Sequence, residues 1–356
     1  MSGVNPIILI QMLNQYHNYE EGNRIFRFVK NNLMKVHTET DKEMAKRKSV
    51  LSKKTRDVAA RAIRDRLDKY LDGKIGNLYI SDKMKNIAVP LQLSTSENGY
   101  GVLSTGSRID IPEGRFIRAF TYWEKVNDID ISVFAIKENG EQMEFSWRNM
   151  WCKQSEEICF SGDETNGYYG GSEYFDIDPE LFKKNNPDYR YLVFCDNIYT
   201  GGGSIHFKDC EATGGFMIRE KMEPNTRGYG SEGKTFEIFD PKTVETSFKL
   251  QSDSSFCYMF AIDLEKRQMV WLDISREGNH AVAGNTSMSW LLNYMSMTEV
   301  YSVYDLFVSM CTNYVENPKY ADILVTDEPD IKPIKENAML IHSWDTEKIF
   351  KYLQAG

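Results

Sequence analysis

Asp128-Ile129-Asp130-Ile131-Ser132-Val133-Phe134-Ala135-Ile136 is the stretch from which the fold of this chain is read. From Ile131 onward it is apolar on both faces except for Ser132, and Asn139-Gly140 follows, a strong short-range hairpin signal. The pattern predicts a strand buried in the interior of a sheet. Asp128 and Asp130 are two residues apart, so on an extended backbone both carboxylates point to the same side. Two anions so placed repel unless something positive lies between them, and a metal ion is the simplest answer. Downstream, Ser161-Gly162-Asp163 and Glu173 bracket the segment Glu164-Thr165-Asn166-Gly167-Tyr168-Tyr169-Gly170-Gly171-Ser172. It reads as an oxygen-rich loop between two strands, able to wrap a cation with backbone carbonyls.

Working outward from that stretch, short apolar and aromatic runs broken by Gly, Asn and Asp recur at sandwich-like spacing. Phe116–Trp123, Gln142–Trp147, Tyr174–Ile177, Tyr191–Tyr199, Gly215–Arg219, Phe236–Phe239, Ser247–Leu250, Phe256–Asp263 and Met269–Ile274 are all expected as strands, which makes the body antiparallel β. Its 356 residues suffice for two or three domains with a sizeable core. No repeat or low-complexity tract breaks the chain.

The ends read differently. Asn5-Pro6 suits a helix cap followed by proline at the first helical position, with a short helix from Ile7 to Tyr16. A second helix is expected from near Glu20, because Ile25, Phe26, Val29 and Leu33 recur at three- and four-residue steps. Thr40-Asp41-Lys42-Glu43 is a capping box that predicts a long helix with Met44, Leu51, Val58, Ala59, Ile63, Leu67 and Tyr70 on one stripe and Gly73 at its end. Its opposite face carries Lys46, Lys53, Arg56, Arg61 and Arg64. Ser289–Met297, Val300–Tyr314 and Asp345–Leu353 are expected as helices at the other end, with one extra strand at Asp322–Thr326. The predicted organisation is a basic helical region over 1–75, a β domain over 76–284 and a helical region over 285–356. Charge follows these boundaries: 16 Lys and Arg against 9 Asp and Glu give residues 1–75 a net +7, so the remainder carries −16 of the total −9.

Several functions find no support in the pattern. The six cysteines form no Cys-x-x-Cys pair and sit in apolar runs, as buried thiols do. The five histidines show no His-x-x-x-His spacing, and no phosphate-binding Gly-Lys-Ser/Thr loop is present. Gly201-Gly202-Gly203 lacks the lysine and following helix of such a loop and suits a hairpin or bulge, while a cluster of His206 with Asp196 or Asp209 is the one enzyme-like alternative. The apolar run Ile7–Ile10 is far too short to span a bilayer, and the chain reads as soluble and cytoplasmic.

The middle of the chain resembles the TerD family of tellurium-resistance and stress-response proteins, over residues 102–275. Asp128-Ile129-Asp130-Ile131-Ser132 is similar to that family's Asp-hydrophobic-Asp-x-Ser strand, Glu138-Asn139-Gly140 to its hairpin, and Ser161-Gly162-Asp163 to its Ser/His-Gly-Asp turn. Leu103–Pro112 and Ile262–Asp273 look closer to the larger multidomain members. The resemblance implies an α+β protein whose core is an antiparallel two-sheet β-sandwich, binding calcium and having no established catalytic activity. It also implies Asp128, Asp130, Asp163 and Glu173 as carboxylate ligands. Where the family has Gly-Asp-Asp-Glu, this chain has Gly170-Gly171-Ser172-Glu173, so two acidic ligands are absent. Calcium wants six to eight oxygens. Carbonyls around Glu164, and those of Thr165 and Gly167, are expected to help.

Together these readings predict a non-enzymatic calcium-binding module whose metal-ordered loop and helical flanks bind protein partners or a second copy of the chain. Two alternatives stay open: a metal-free scaffold of a larger defence or virion-related assembly, and a nucleic-acid-associated protein using the basic N-terminal helix.

Overall fold

The computed structural model describes residues 5–17, 25–30, 33–38, 41–46, 51–91, 103–150, 155–200, 204–223, 246–276, 295 and 300–354. The readings at the Thr40 capping box, Cys152, Gly201–Gly203, Phe236–Phe239 and most of Ser289–Met297 lie outside them. In chain order the strands are β1 (Ile25–Lys30), β2 (Leu33–Thr38), β3 (Ile75–Ile80), β4 (Arg108–Asp110), β5 (Phe116–Glu124), β6 (Ile129–Lys137), β7 (Gln142–Phe145), β8 (Ile158–Phe160) and β9 (Gly171–Ile177). They continue as β10 (Tyr189–Ile198), β11 (Glu211–Arg219), β12 (Thr246–Leu250), β13 (Phe256–Asp263), β14 (Gln268–Arg276), β15 (Cys311–Tyr314), β16 (Ile323–Val325) and β17 (Met339–Ile341).

Two antiparallel sheets make the body. The larger runs β4-β14-β13-β10-β6-β7 and the smaller β12-β11-β5-β9-β8. The strand Ile129–Lys137 is buried at every residue but its last, as its two-sided apolar pattern requires. Side chains of the two sheets meet: Phe248 packs edge-on against Phe260 and Trp271, and Phe216 lies 6.1 Å from Phe260 between ring centroids. Four cysteines, Cys159, Cys195, Cys210 and Cys257, are buried free thiols, and Cys311 is free and half-buried.

The flanks correct the sequence reading. Ile25–Lys30 and Leu33, expected in one helix, lie instead on β1 and β2, which pair antiparallel. Ile25, Phe26, Val29 and Leu33 do fit a helical stripe, yet Ile-Phe-x-Phe-Val is equally rich in residues that favour strands, and the pairing prevails. The long helix runs from Lys53 to Leu71, capped by Ser52, whose hydroxyl accepts from the Thr55 amide. Residues 41–44 form a separate single turn. As expected, the helix ends before Gly73, which sits at φ 73°. Val303–Met310 is helical as expected, but Cys311–Tyr314 breaks into β15 because it pairs with β3.

The flanks are therefore not helical alone. The strands β15-β3-β16-β17 form a wholly parallel sheet in which β3, near the start of the chain, lies between two strands from its end. Helix Lys53–Leu71 packs on helix Val303–Met310, and Arg64 pairs with Asp305 at 3.4 Å. The β body is thus threaded between residues 81 and 302 of an α/β unit. Its two connections run side by side: Val89 donates to the Tyr301 carbonyl at 3.1 Å, and Val303 to that of Ile87 at 2.8 Å. Ser107 ties them to the body, its hydroxyl accepting from the Ala88 amide and its carbonyl from Trp271. Among the described residues no helix is long and apolar enough to cross a membrane.

Candidate metal centre

The centre forms where the start of β6 meets the segment between β8 and β9. β6 pairs with β10 so that Asp130 faces Asn197, and β5 pairs with β9 so that Thr121 faces Glu173 and Trp123 faces Gly171. The loop over residues 161–170 folds back through backbone bonds. The Gly167 amide donates to the Asn127 carbonyl at 2.7 Å, and the Lys125 amide to that of Tyr168 at 2.9 Å. Gly162 and Gly170 take positive φ values of 101° and 133°, which glycine adopts without strain. Trp123 fixes the loop from beneath: a Cβ at Gly167 would lie 2.5 Å from its indole nitrogen, and one at Gly171 2.5 Å from its ring.

This folding brings together three of the six residues expected to hold a cation. One carboxylate oxygen from each of Asp128, Asp130 and Asp163 lies within 4.8 Å of the others, the only such group of acidic, histidine or cysteine side chains among the described residues. Asp128 is 7% exposed, Asp130 is 3% exposed and Asp163 is half-buried. Asp128 Oδ1, Asp130 Oδ2 and Asp163 Oδ1 are buried and accept no hydrogen bond. Burial pushes the Asp128 carboxyl up to about 7, with Asp163 and Glu164 adding repulsion. Burial, then Asp128 and Asp163, pushes Asp130 up to about 8 against an opposing hydrogen bond from Asn197. Asp163 is raised by burial.

A trio of buried carboxylates with unpartnered oxygens is costly as it stands, and a cation among them removes both the repulsion and the missing contacts. The donor set fits a hard cation that prefers oxygen.

The other three expected ligands, Glu173, Thr165 and Gly167, are not members of that group. Glu173 is fully buried beside the trio, with its two oxygens accepting from the Ile131 and Glu164 amides at 3.0 Å each. Burial, with Asp130 and Asp163, raises its carboxyl well above the usual range. Thr165 is exposed, and the Gly167 carbonyl accepts from the Gly170 amide.

Sequence reasoning passed over the side chains of Asn197 and Glu164. It also passed over the Asp196–Thr121 pair, in which the buried Thr121 hydroxyl lies 2.8 Å from both oxygens of Asp196 and bridges the two sheets. The strand run Cys195-Asp196-Asn197, polar in a buried element, was the available signal. His206 lies 3.7 Å from Asp209 as part of a turn cap, and Asp196 is bonded instead to Thr121.

Comparison with known proteins adds little to this geometry. No family model matches the chain, and no curated protein matches it. A solved structure described as an unknown-function protein, SAV2460, aligns at 12% identity over 47% of this chain and 92% of its own, with a TM-score of 0.29. A likeness that slight carries no argument.

Proposed function

We propose that this protein is a non-enzymatic, calcium-binding module of TerD type, in which a cation held by Asp128, Asp130 and Asp163 orders the adjoining loop as a surface for protein partners. The observation that carries the reading is the trio of mutually close aspartates, each of which has a buried oxygen that accepts no hydrogen bond. The two antiparallel sheets are read as its β-sandwich, supported by the aromatic contacts between them and by the hydrogen bond from Thr121 to Asp196. The bound ion would neutralise the trio and hold the loop against β6. What the loop presents is aromatic: Tyr169 is 91% exposed, and Tyr168 and Tyr199 are also exposed. The Tyr199 amide donates to the Asp128 carbonyl at 3.2 Å, which links that side chain to the same corner.

The nucleic-acid alternative draws less support. Arg64 is paired with Asp305, and Arg56 and Arg61 donate to the Leu51 and Asp57 carbonyls at 2.7 and 3.3 Å. Thermal denaturation of chelator-treated protein with and without calcium tests the main proposal. The melting temperature rises with calcium, and Asp130→Asn abolishes the rise. An unchanged melting temperature in excess calcium would favour the metal-free scaffold.

A further inference from the structure

Glu173 occupies a different place from the three aspartates. Its Oε2 accepts from the amide of Ile131, the residue after Asp130, and its Oε1 accepts from the amide of Glu164, the residue after Asp163. One side chain on β9 thus grips both segments that carry the trio, at positions next to two of its members. Carboxylates bonded to backbone amides are short-range and directional anchors. Asp128, Asp130 and Asp163, by contrast, each leave a buried oxygen without any donor.

We propose that Glu173 is a positioning residue that clamps the two halves of the centre together and is not a ligand, and that a cation held there keeps coordination positions open to an uncharged oxygen donor from outside the chain. The second half rests on the cation-binding reading above; the first does not. Calcium takes about six to eight oxygens, and the one unpartnered buried oxygen on each of the three aspartates leaves about three or more of these unfilled. Asp163 is the half-buried member of the trio, so an outside donor would reach the ion on its side.

Charge selects the donor. Among the described residues, the charges that act most strongly on Asp128, Asp130 and Glu173 are carboxylates: Asp163 and Glu164 on the first, Asp128 and Asp163 on the second, Asp130 and Asp163 on the third. A divalent ion offsets only part of this negative field, so a phosphate or carboxylate from a partner is repelled. A hydroxyl or a carbonyl is not.

Europium(III), a luminescent substitute for calcium, tests both halves on the full chain. Its emission lifetimes in water and in heavy water count the waters on the bound ion. The proposal expects at least about two, reduced by D-mannose as a vicinal-diol probe; in a parallel titration with divalent calcium, D-mannose raises the calcium affinity and acetate at equal concentration does not. It also expects Glu173→Gln to lower the melting temperature in chelator by about 5 °C, because the clamp acts without the ion, and to leave the water count on bound europium unchanged. Asp130→Asn, which removes repulsion, does not lower that melting temperature.

An ion with no bound water, a water count that mannose leaves unchanged, or a calcium affinity that acetate raises, overturns the open-site half. A Glu173→Gln protein that melts like wild type in chelator but gains bound water overturns the clamp. Amide exchange on chelated wild type decides the clamp without a variant: it requires Ile131 and Glu164 to be protected, and rapid exchange at both refutes it. Failure of europium to bind wild type refutes the cation reading itself and the open-site half with it, leaving the clamp to the melting and exchange results.

Discussion

Replacing Gly167 by alanine probes the scaffold of the centre without touching a carboxylate. The added Cβ would lie 2.5 Å from Trp123 Nε1 and 2.8 Å from the Gly171 Cα. Ordinary carbon contacts lie at about 3.5–4.0 Å, so the overlap is roughly 1 Å on two sides. Neither neighbour is the free end of a flexible side chain: Trp123 is fully buried, and Gly171 belongs to β9. Relief must come from the loop, which is tied down by the Gly167 amide on the Asn127 carbonyl and by the Lys125 amide on that of Tyr168. Overpacking of this kind costs about 1–3 kcal/mol, and straining a backbone bond adds about 1 kcal/mol. A total near 3 kcal/mol lowers the melting temperature of a body this size by roughly 6–12 °C. Because the displaced loop includes Asp163, calcium affinity should also fall, by about tenfold for each 1.4 kcal/mol of misplacement. Urea denaturation followed by tryptophan emission, with parallel calcium titration, reads both effects. A Gly167→Ala protein with wild-type stability and wild-type calcium response would refute the packing of the loop on Trp123.

Further outcomes follow from the same arrangement. Asp128, Asp130 and Asp196 have carboxyls raised to about 7, 8 and 8, chiefly by burial. The calcium-free native state therefore holds more protons than the unfolded chain between about pH 4 and pH 8. Their stabilisation is complete below that window and is lost as pH rises through it, so the urea midpoint in chelator should be lower at pH 8 than at pH 6, with a smaller difference in Asp130→Asn. Calcium must displace the protons of Asp128 and Asp130, so its affinity should rise over the same interval; a flat profile would contradict their shared burial. Arg118 is buried and bonded to both oxygens of Asp176, at 2.6 and 2.7 Å, and to Glu223. Arg118→Ala leaves a buried carboxylate uncompensated and should cost about 3–5 kcal/mol in chemical denaturation, whereas a loss below about 1 kcal/mol would show the pair to be solvated. Deleting residues 303–356 removes β15 and β16, both strands that flank β3. The shortened chain should be insoluble or aggregated by size-exclusion chromatography, and a monomer melting like the full chain would refute the shared sheet.

Most strands of the body were legible because they carry their own signal, whereas β8 is three residues long in a mixed stretch and was not. β6 shows a two-sided apolar run, β5 and β13 are aromatic and β-branched, and Asn139-Gly140 marks the turn between β6 and β7. The two-residue step from Asp128 to Asp130 likewise announced a shared side, and the Ser-Gly-Asp turn supplied the third carboxylate. Glu173 was legible as a neighbour of the site but its bonds to the Ile131 and Glu164 amides were not, because a carboxylate that binds amides and one that binds an ion have the same sequence. What escaped was set by partners distant in the chain. β3 and β16 pair across more than 240 positions, and nothing in Ile323-Leu324-Val325 says which strand it joins. The pairing of β1 with β2 was lost because the spacing of Ile25, Phe26, Val29 and Leu33 satisfies a helical period as well as a strand's. The Trp123–Gly167 contact was hidden because a loop glycine reads the same whether it serves a turn or a close approach.

Calorimetric titration of calcium into chelator-treated protein, with Asp130→Asn alongside, tests the central claim most directly. The account predicts binding in the micromolar range or tighter for wild type, about one ion per chain, and loss of that heat in the variant. Absence of binding to wild type, or an Asp130→Asn protein that binds calcium as wild type does, would contradict it.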